Sequence, residues 1–334
     1  MEDLERLLGE LGLDRSSVDL DDMRALTGAV FAAHAPLSAR EVAAAAGIDV
    51  EHLVSAYALL GIDVAELDAP GFRESEVAFI QALRADDAAI VAGGWGDDVL
   101  RVIGSALARV ADAAVAGYVG EVEQSLAEAG AHPSEWMETA LVGLQAVDDL
   151  GKGLAPLLVH HVQQAVERQR VAQSAVTSRL HFRYAVGFVD LVGFTSFSRT
   201  ADAPELVALL RRFENGAHDV ATAHRGRIVK HIGDEVMFTA LDPAAACAIA
   251  RDLLARFGGD GVHGRGGIAW GELVSRGGDF YGPVVNLAAR LVDAAVQGEV
   301  LVDEAVATAV GGLEPAGRRQ LKGFDEPVRV WSLG

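Results

Sequence analysis

Apolar positions recur every three to four residues through most of the first half of the chain, which is the spacing of amphipathic helices. The segment LSAREVAAAAG adds end signals, since Ser38 with Glu41 three residues later forms a capping-box pattern and Gly47 is a typical stop. No convincing strand pattern occurs in this half. We therefore predict an all-helical domain over residues 1–155.

A stretch rich in helix-breaking residues separates this half from the rest of the chain. Asp, Gly and Pro residues interrupt the helical pattern over 147–156, and a second helical stretch follows at roughly 157–177. We interpret it as a connecting helix and expect a helical linker over residues 156–180.

Strand and helix patterns alternate in the second half. FRYAVGFVDLVGF predicts a strand, followed by a long helix that Gly226 stops, a hairpin made of RIVKHI and EVMFTAL, and a helix starting at Pro243. GVHGRGGIAWGELV predicts another strand. PVVNLAARLVDAAVQG predicts a helix with Pro283 in its first turn and Gly298 after its end. The order β-α-β-β-α-β predicts an α+β domain with a ferredoxin-like core over residues 181–334.

Composition narrows the function classes. The chain has 334 residues, 51% of them apolar, and a net charge of −20, which argues against a main surface for DNA or anionic membranes. Cys247 is the one cysteine, so an intrachain disulfide is impossible and a reducing compartment is expected. No apolar run reaches membrane-span length, and the N-terminus is acidic, unlike a signal peptide. We expect a soluble, cytoplasmic protein with no nucleic-acid partner and no membrane insertion.

Two carboxylates fall at predicted strand ends. Asp190 closes the first strand, and Asp234 lies at the Gly-Asp turn of KHIGDEVMF. In a β-α-β-β sheet the first and third strands pack side by side, so both carboxylates reach one edge and repel unless a cation joins them. Magnesium, a hard ion, prefers such oxygen ligands. A cap for the helix that begins near Thr195, and an ordinary solvated turn, remain alternatives for these residues.

The segment DFYGPVVNLAAR carries a second candidate group. On its predicted helix, Asn286 and Arg290 are four residues apart and share a face outside the buried stripe of Val284, Leu287, Ala288 and Leu291. An amide and a guanidinium can bind a sugar and a phosphate. Pairing of Arg290 with Asp293 on an exposed face explains the pattern equally well.

Taken together, four segments resemble the catalytic domain of class III nucleotidyl cyclases, in the order of that family and over about residues 182–334. They are FVDLVGFTSFS, VKHIGDEVMF, GDFYGPVVNLAAR and, more weakly, LKGFDEPVRVWSL. In the first half, LRVIGSALARVADA resembles the helical regulatory domain of some actinobacterial adenylyl cyclases.

The resemblance implies roles for the matching residues. Asp190 and Asp234 would hold two Mg²⁺ or Mn²⁺ ions on a triphosphate, and Lys230 and Asp279 would contact the base. In such cyclases the metal pair comes from one protomer and the base and ribose contacts from the other. A two-fold homodimer would therefore build two sites.

The same resemblance implies that Asn286 would orient the ribose and that Arg290 would stabilise the transition state at the α-phosphate. Arg276 and Lys322 are implied as polyphosphate contacts.

The hydrogen-bonding groups of Lys230 and Asp279 favour adenine over guanine. Adenine offers an acceptor at N1 and a donor at its exocyclic amine, which suit Lys230 as donor and Asp279 as acceptor. Guanine presents the reverse polarity, and an unpaired buried group costs about 1–3 kcal/mol. ATP is therefore the expected substrate, and 3′,5′-cyclic AMP with pyrophosphate the expected products.

Two rival functions remain open at this stage. IGDE resembles the Gly-Gly-Asp/Glu-Glu-Phe signature of diguanylate cyclases, although Ile232 replaces the first glycine. SAREVAAAAGIDVEHLVSAYALLG has the rhythm of a DNA-binding helix-turn-helix, but residues 37–60 hold one basic residue, Arg40, among several acids. Structural packing within the helical domain is the favoured interpretation of that segment.

A further hypothesis is that pH controls the activity through histidines at the connecting helix. His160 and His161 lie side by side on the predicted connecting helix, and His181 just precedes the first catalytic strand. Histidine changes charge in the mildly acidic range. With the resemblance to regulated actinobacterial cyclases, some of which respond to acid, this predicts that acidification raises activity and that residues 1–155 restrain the catalytic half at neutral pH.

Overall fold

Two compact units, 1–159 and 160–334, divide the chain. The structure is a computed structural model, and it describes residues 35–82, 96–173, 181–257 and 262–333, together with Gly9 and Gly12. Part of the predicted linker, residues 174–180, lies outside the described residues.

The first unit is helical in its described part, apart from one small sheet. Its helices are α1 (Ala39–Ala46), α2 (Val50–Leu59), α3 (Glu74–Ala82), α4 (Asp97–Gly117) and α5 (Gln124–Glu128), with a π-helical segment at Tyr118–Glu123 and the start of α6 (Pro133–Gln173). The prediction of an all-helical domain was wrong at β1 (Leu37–Ser38) and β2 (Pro70–Phe72), which pair antiparallel. Pairs of two and three residues are too short to produce a recognisable alternation in the sequence.

The ends of α1 follow the predicted signals. The Glu41 N–H donates to Ser38 Oγ at 3.3 Å, and the Ser38 N–H donates to Glu41 Oε2 at 2.8 Å, which completes the capping box. Gly47 ends the helix with a φ of 70°, a conformation that favours glycine.

The expected interruption over 147–156 does not occur. Helix α6 runs through Gly151, Gly153 and Pro156 without a break. A proline inside a helix removes one backbone hydrogen bond, and each glycine weakens the helix by about 1 kcal/mol, but established turns on both sides propagate through such positions. The connecting helix thus begins well before the predicted residue 157.

The second unit contains one eight-stranded sheet. Its strands are β3 (His181–Val192), β4 (Arg227–Ile232), β5 (Glu235–Ala240), β6 (His263–Arg276), β7 (Asp279–Tyr281), β8 (Val300–Val302), β9 (Glu314–Arg319) and β10 (Val328–Ser332). They run in the order β4-β5-β3-β6-β8-β10-β9, with β7 paired to β6. Neighbours are antiparallel except for the parallel pair of β6 and β8.

Helices cover both faces of this sheet. They are α7 (Phe194–Thr200), α8 (Ala203–Ala223), α9 (Pro243–Arg256), α10 (Pro283–Ala294) and α11 (Glu304–Val310). One face packs against α8, α9 and α11, and the other against α10 and the end of α6, where Ala172 is buried. The order β3-α8-β4-β5-α9-β6 confirms the predicted βαββαβ core and the α+β class.

Helix α10 lies unusually close to strand β6. A Cβ atom at Gly267 would come within 2.3 Å of the Val292 nitrogen and 2.6 Å of the Ala288 carbonyl oxygen. Glycine at this position therefore lets the helix rest directly on the strand. This contact fixes the helix that carries Asn286 and Arg290.

The end of α10 was predicted incorrectly. The helix stops at Ala294, four residues before Gly298. Gly298 does not cap it, because its N–H donates to the Gly264 carbonyl at 2.8 Å and starts the turn into β8. The chain must leave the helix early so that Val300 can pair with Gly266 on β6.

In the described ranges, no single helix is long and apolar enough to cross a membrane. One pair, α1 with α2, passes the length and composition test when taken together, although the two helices are bent by 106°. Their buried side chains, among them Val42 and Leu53, form a small core with Phe72 and Ile80.

Candidate active site

The two predicted metal-binding aspartates meet at one edge of the sheet. Asp190 on β3 lies opposite Glu235 on β5, and the Leu191 N–H donates to the Asp234 carbonyl at 3.2 Å. Asp234 occupies the two-residue turn between β4 and β5, where Gly233 adopts a φ of 65°. The first strand is next to the third, so the predicted proximity of both residues follows from the strand order.

An arginine that the sequence analysis did not select pairs with Asp190. Arg265, its register neighbour on β6, donates from Nε at 2.8 Å and from Nη2 at 2.6 Å to Asp190 Oδ2. Its Nη1 also donates to the carbonyls of Asp293 at 3.3 Å and Ala295 at 3.5 Å, at the end of α10. Asp190 thus caps no helix in this structure, and α7 follows Gly193 instead.

Burial and like charges raise the pKa values of the neighbouring acids. Burial, with a contribution from the Asp190 charge, raises the pKa of Asp234 above its ordinary value. Burial, then the charges of Asp190 and Asp293, raises the pKa of Glu235 to about 7, although the Arg265 guanidinium acts in the opposite direction. This edge therefore concentrates more negative charge than Arg265 balances.

The donor set fits a hard divalent cation. Asp190 and Asp234 supply carboxylate oxygens, and positive charge would offset both the burial and the Asp190 charge that raise the pKa of Asp234. In the described part of the chain, no three His, Cys, Asp or Glu side chains form a ready-made cage for a metal. Two carboxylates completed by phosphate oxygens are a common arrangement for Mg²⁺, so the residues present suit an ion that arrives with a nucleotide.

The predicted base-contacting residues form an ion pair. Lys230 Nζ lies 2.5 Å from Asp279 Oδ2, and the two side chains are 39% and 25% exposed. The Phe280 N–H donates to the other Asp279 oxygen at 2.8 Å, which fixes the carboxylate. A donor and an acceptor 49 positions apart in the sequence are thus held side by side at a partly open surface.

Asn286 and Arg290 lie on α10 as predicted. Asn286 is exposed in the first turns of the helix, and Arg290 Nη1 lies 2.7 Å from Asp293 Oδ2 on the same helix. The ion pair with Asp293, one of the two readings of this segment, is therefore present in the single chain. The Arg290 and Asp293 side chains are 38% and 57% exposed, so this pair is weak and readily exchanged for another partner.

The two remaining candidates lie in different places. Arg276 ends β6 and is the register neighbour of Asp279. Lys322 is exposed in the turn between β9 and β10.

Comparison with known proteins adds relatives that cover much of the chain. No family model matches it. It is 32% identical over 289 residues to an adenylate cyclase from Streptomyces coelicolor, covering 84% of this chain and 74% of that protein. It is 36% identical over 158 residues to a pH-sensitive adenylate cyclase from Mycobacterium tuberculosis, covering 44% of this chain and 40% of that protein. The solved adenylyl cyclase CyaB from P. aeruginosa gives a TM-score of 0.42 at 24% identity, covering 46% of this chain and 93% of that chain.

Proposed function

The chain belongs to the class III adenylate cyclases, and we propose that it converts ATP to 3′,5′-cyclic AMP and pyrophosphate at sites shared between two copies of the chain. The observation that carries the proposal is the Lys230–Asp279 pair, which presents a donor beside an acceptor. Adenine needs that pair of partners at N1 and its exocyclic amine, whereas guanine offers the opposite polarity. ATP is accordingly favoured over GTP.

The carboxylates of Asp190 and Asp234 would hold the metal ions. When bound, a pair of Mg²⁺ or Mn²⁺ ions would acidify the ribose 3′-hydroxyl and neutralise the departing pyrophosphate. Asp190 must then exchange its Arg265 partner for a cation, and the Arg265 guanidinium becomes available to other negative charge nearby. Because the ions supply the acidification, no side chain is assigned as the general base.

Asn286 and Arg290 would complete the site from the partner chain. The Asn286 amide orients the ribose so that its 3′-oxygen lies in line with the bond to pyrophosphate. Arg290 places positive charge at the α-phosphate, where negative charge accumulates during attack. It must leave Asp293 to do so, which costs little for an exposed pair. A two-fold homodimer then contains two equivalent sites.

The first unit would act as the regulator of this activity, with α6 as the connection. His160 and His161 are both exposed on that helix. The hypothesis is that their protonation changes the contacts that α6 makes in the dimer, so that activity rises on acidification. The similarity to a pH-sensitive adenylate cyclase from Mycobacterium tuberculosis supports this proposal.

The catalytic proposal is tested with the purified protein. ATP or GTP is supplied with Mn²⁺ or Mg²⁺, and the products are resolved by chromatography, with Asp190→Asn as the inactive control. Cyclic AMP and pyrophosphate in equal amounts, formed from ATP in preference to GTP, is the expected result. Cyclic GMP as the main product, or no cyclic nucleotide with either metal, contradicts the proposal.

The regulatory proposal needs a separate test. Activity is measured from pH 5.5 to 8 for the full chain, for residues 176–334 alone, and for His160→Ala/His161→Ala. The catalytic half should give a flatter profile than the full chain, and the double variant should lose much of the difference. If the three pH–activity profiles superimpose, α6 connects the two units but has no role in the pH response.

A further inference from the structure

Two arginines lie together where the end of α6 meets the sheet. Ala172, one turn beyond Arg168 on α6, is 2% exposed in a cluster that includes Tyr184 and Phe280. Residues four apart share a helix face, so Arg168 lies over the same part of the sheet. Arg227, the first residue of β4, has its guanidinium beside the Phe280 ring of the same cluster.

The Arg227 guanidinium is anchored there by weak contacts. Its central carbon lies 5.8 Å from the centre of the Phe280 ring, and Nη2 is 3.5 Å from the Gly278 carbonyl, the outer limit of a hydrogen bond. The Tyr184 ring packs 5.4 Å from the Phe280 ring. Burial, and then the charge of Arg168, lower the pKa of Arg227.

Within the described ranges, neither Arg168 nor Arg227 has a carboxylate partner at ion-pair distance. The charge of Asp279 reaches Arg227, but that carboxylate is already paired with Lys230 at 2.5 Å. In a chain with 48 acidic and 28 basic residues, two neighbouring arginines that form no ion pair with a described carboxylate run against the overall excess of acids.

We propose that Arg168, Arg227 and the Tyr184 hydroxyl form a binding site for a small oxyanion of the phosphate or carboxylate type, taken from solution. Guanidinium groups present several N–H donors in a plane and match such oxygens well. Burial raises the pKa of Tyr184 and the charges of Arg168 and Arg227 act in the opposite direction, so the phenol is available as one further donor beside them. A bound oxyanion would turn the repulsion between the two arginines into attraction to a shared ligand.

The position of the site gives it a consequence. Arg168 belongs to the helix that connects the two units, whereas Arg227 is three residues before Lys230 on β4. A ligand held by both would fasten the end of α6 beside the strand that contacts the base. This consequence rests on the proposed function. Oxyanion binding by Arg168 and Arg227 would regulate the cyclase site independently of His160 and His161.

The test measures binding directly, without nucleotide or turnover, so its result does not depend on whether the chain cyclises ATP. Inorganic phosphate is titrated into the full-length protein at constant ionic strength, and binding is followed by calorimetry and by Tm. At about ten times the Kd, phosphate should raise the Tm by roughly 2–4 °C. Arg168→Gln and Arg227→Gln should each lose most of this shift.

Arg170→Gln is the matched control. Arg170 lies on the same helix, is 75% exposed and pairs with Glu167 at 2.9 Å, so its loss should leave phosphate binding unchanged. Hydrogen exchange gives an independent readout, since phosphate should slow exchange of the amides near Arg168 in the wild type and not in Arg168→Gln.

Two results would overturn the proposal. An equal Tm shift in the wild type and in Arg168→Gln would show that phosphate acts elsewhere. No phosphate effect, combined with weaker dimerisation of Arg168→Gln, would assign the arginines to a carboxylate of the partner chain. If Arg227→Gln fails to fold, the comparison of Arg168→Gln with Arg170→Gln still shows whether phosphate binding depends on Arg168.

Discussion

Two ends of the sheet satisfy their charges in different ways: the end proposed to contact the base, with Lys230 and Asp279 (the base-contacting end), and the end proposed to hold metal, with Asp190 and Asp234 (the metal end). At the base-contacting end, Lys230 and Asp279 form a complete ion pair before any ligand arrives. At the metal end, the Arg265 guanidinium pairs with Asp190 alone, and burial and mutual repulsion raise the pKa values of Asp234 and Glu235.

The two ends therefore differ in how far each is preorganised before a ligand binds. A donor and an acceptor already in place need little rearrangement to recognise a base, which favours selectivity. A group of crowded carboxylates is instead completed only by cations, so on the proposed function the metal end would become a working site when metal and nucleotide arrive together. Changes at the metal end should therefore remove turnover, whereas changes at the base-contacting end should alter the choice of nucleotide.

The largest effect is expected at the metal end. Asp190→Asn or Asp234→Asn should keep the fold and lower kcat by at least about 100-fold, because an amide is a poor ligand for a hard cation. Cyclic AMP formation with Mn²⁺ measures the loss, and circular dichroism checks the fold. Asp219→Asn is the control, since Asp219 pairs with Arg256 at 3.2 Å on the surface and should be neutral. Near wild-type turnover in either metal-end variant would remove the two-metal assignment.

A smaller effect is expected at the base-contacting end. Lys230→Glu with Asp279→Cys removes the adenine partners and should lower kcat/KM for ATP by roughly 10- to 100-fold, the cost of mismatched hydrogen bonds. The measurement is the ratio of kcat/KM for ATP and GTP. Gain of GTP activity would support the assignment but is not required, because the pocket must also fit guanine. An unchanged ATP preference would mean that these residues do not contact the base.

The smallest effect concerns the pH dependence of stability. The pKa of Glu235 is raised to about 7 in the folded chain, so the folded state favours the protonated form. The stability linked to this group is fully present below its unfolded pKa and is lost as the pH rises through about 7. Glu235→Gln, which imitates the protonated form, should therefore match the wild type near pH 4.5 and exceed it by about 2–5 °C in Tm at pH 8 without divalent ions. Parallel curves for the two proteins would contradict this.

Much of the metal end could be predicted from the sequence because its geometry follows from chain order. The turn at Gly233 and Asp234 and the pairing of the first strand with the third bring Asp190 and Asp234 together without further information. Arg265 could not be found in this way. It lies 75 positions from Asp190, and only the register of β3 with β6 reveals it as the partner.

Other features depended on contacts that local patterns do not contain. Gly151 and Pro156 are ordinary stop signals, yet α6 continues through them because the turns on both sides are stable. Gly298 is an ordinary helix end, yet α10 stops earlier so that the chain can return to β6. In both cases the pattern identified the helix correctly and misplaced its boundary.

The most direct test of the shared site combines two inactive chains. Asp190→Ala and Arg290→Ala should each be inactive as homodimers, because each lesion falls in both sites. After mixing in equal amounts with demonstrated subunit exchange, half of the dimers carry one intact site, so activity should return to about a quarter of the wild-type value. Persistent inactivity of the exchanged mixture would contradict a site built from two chains.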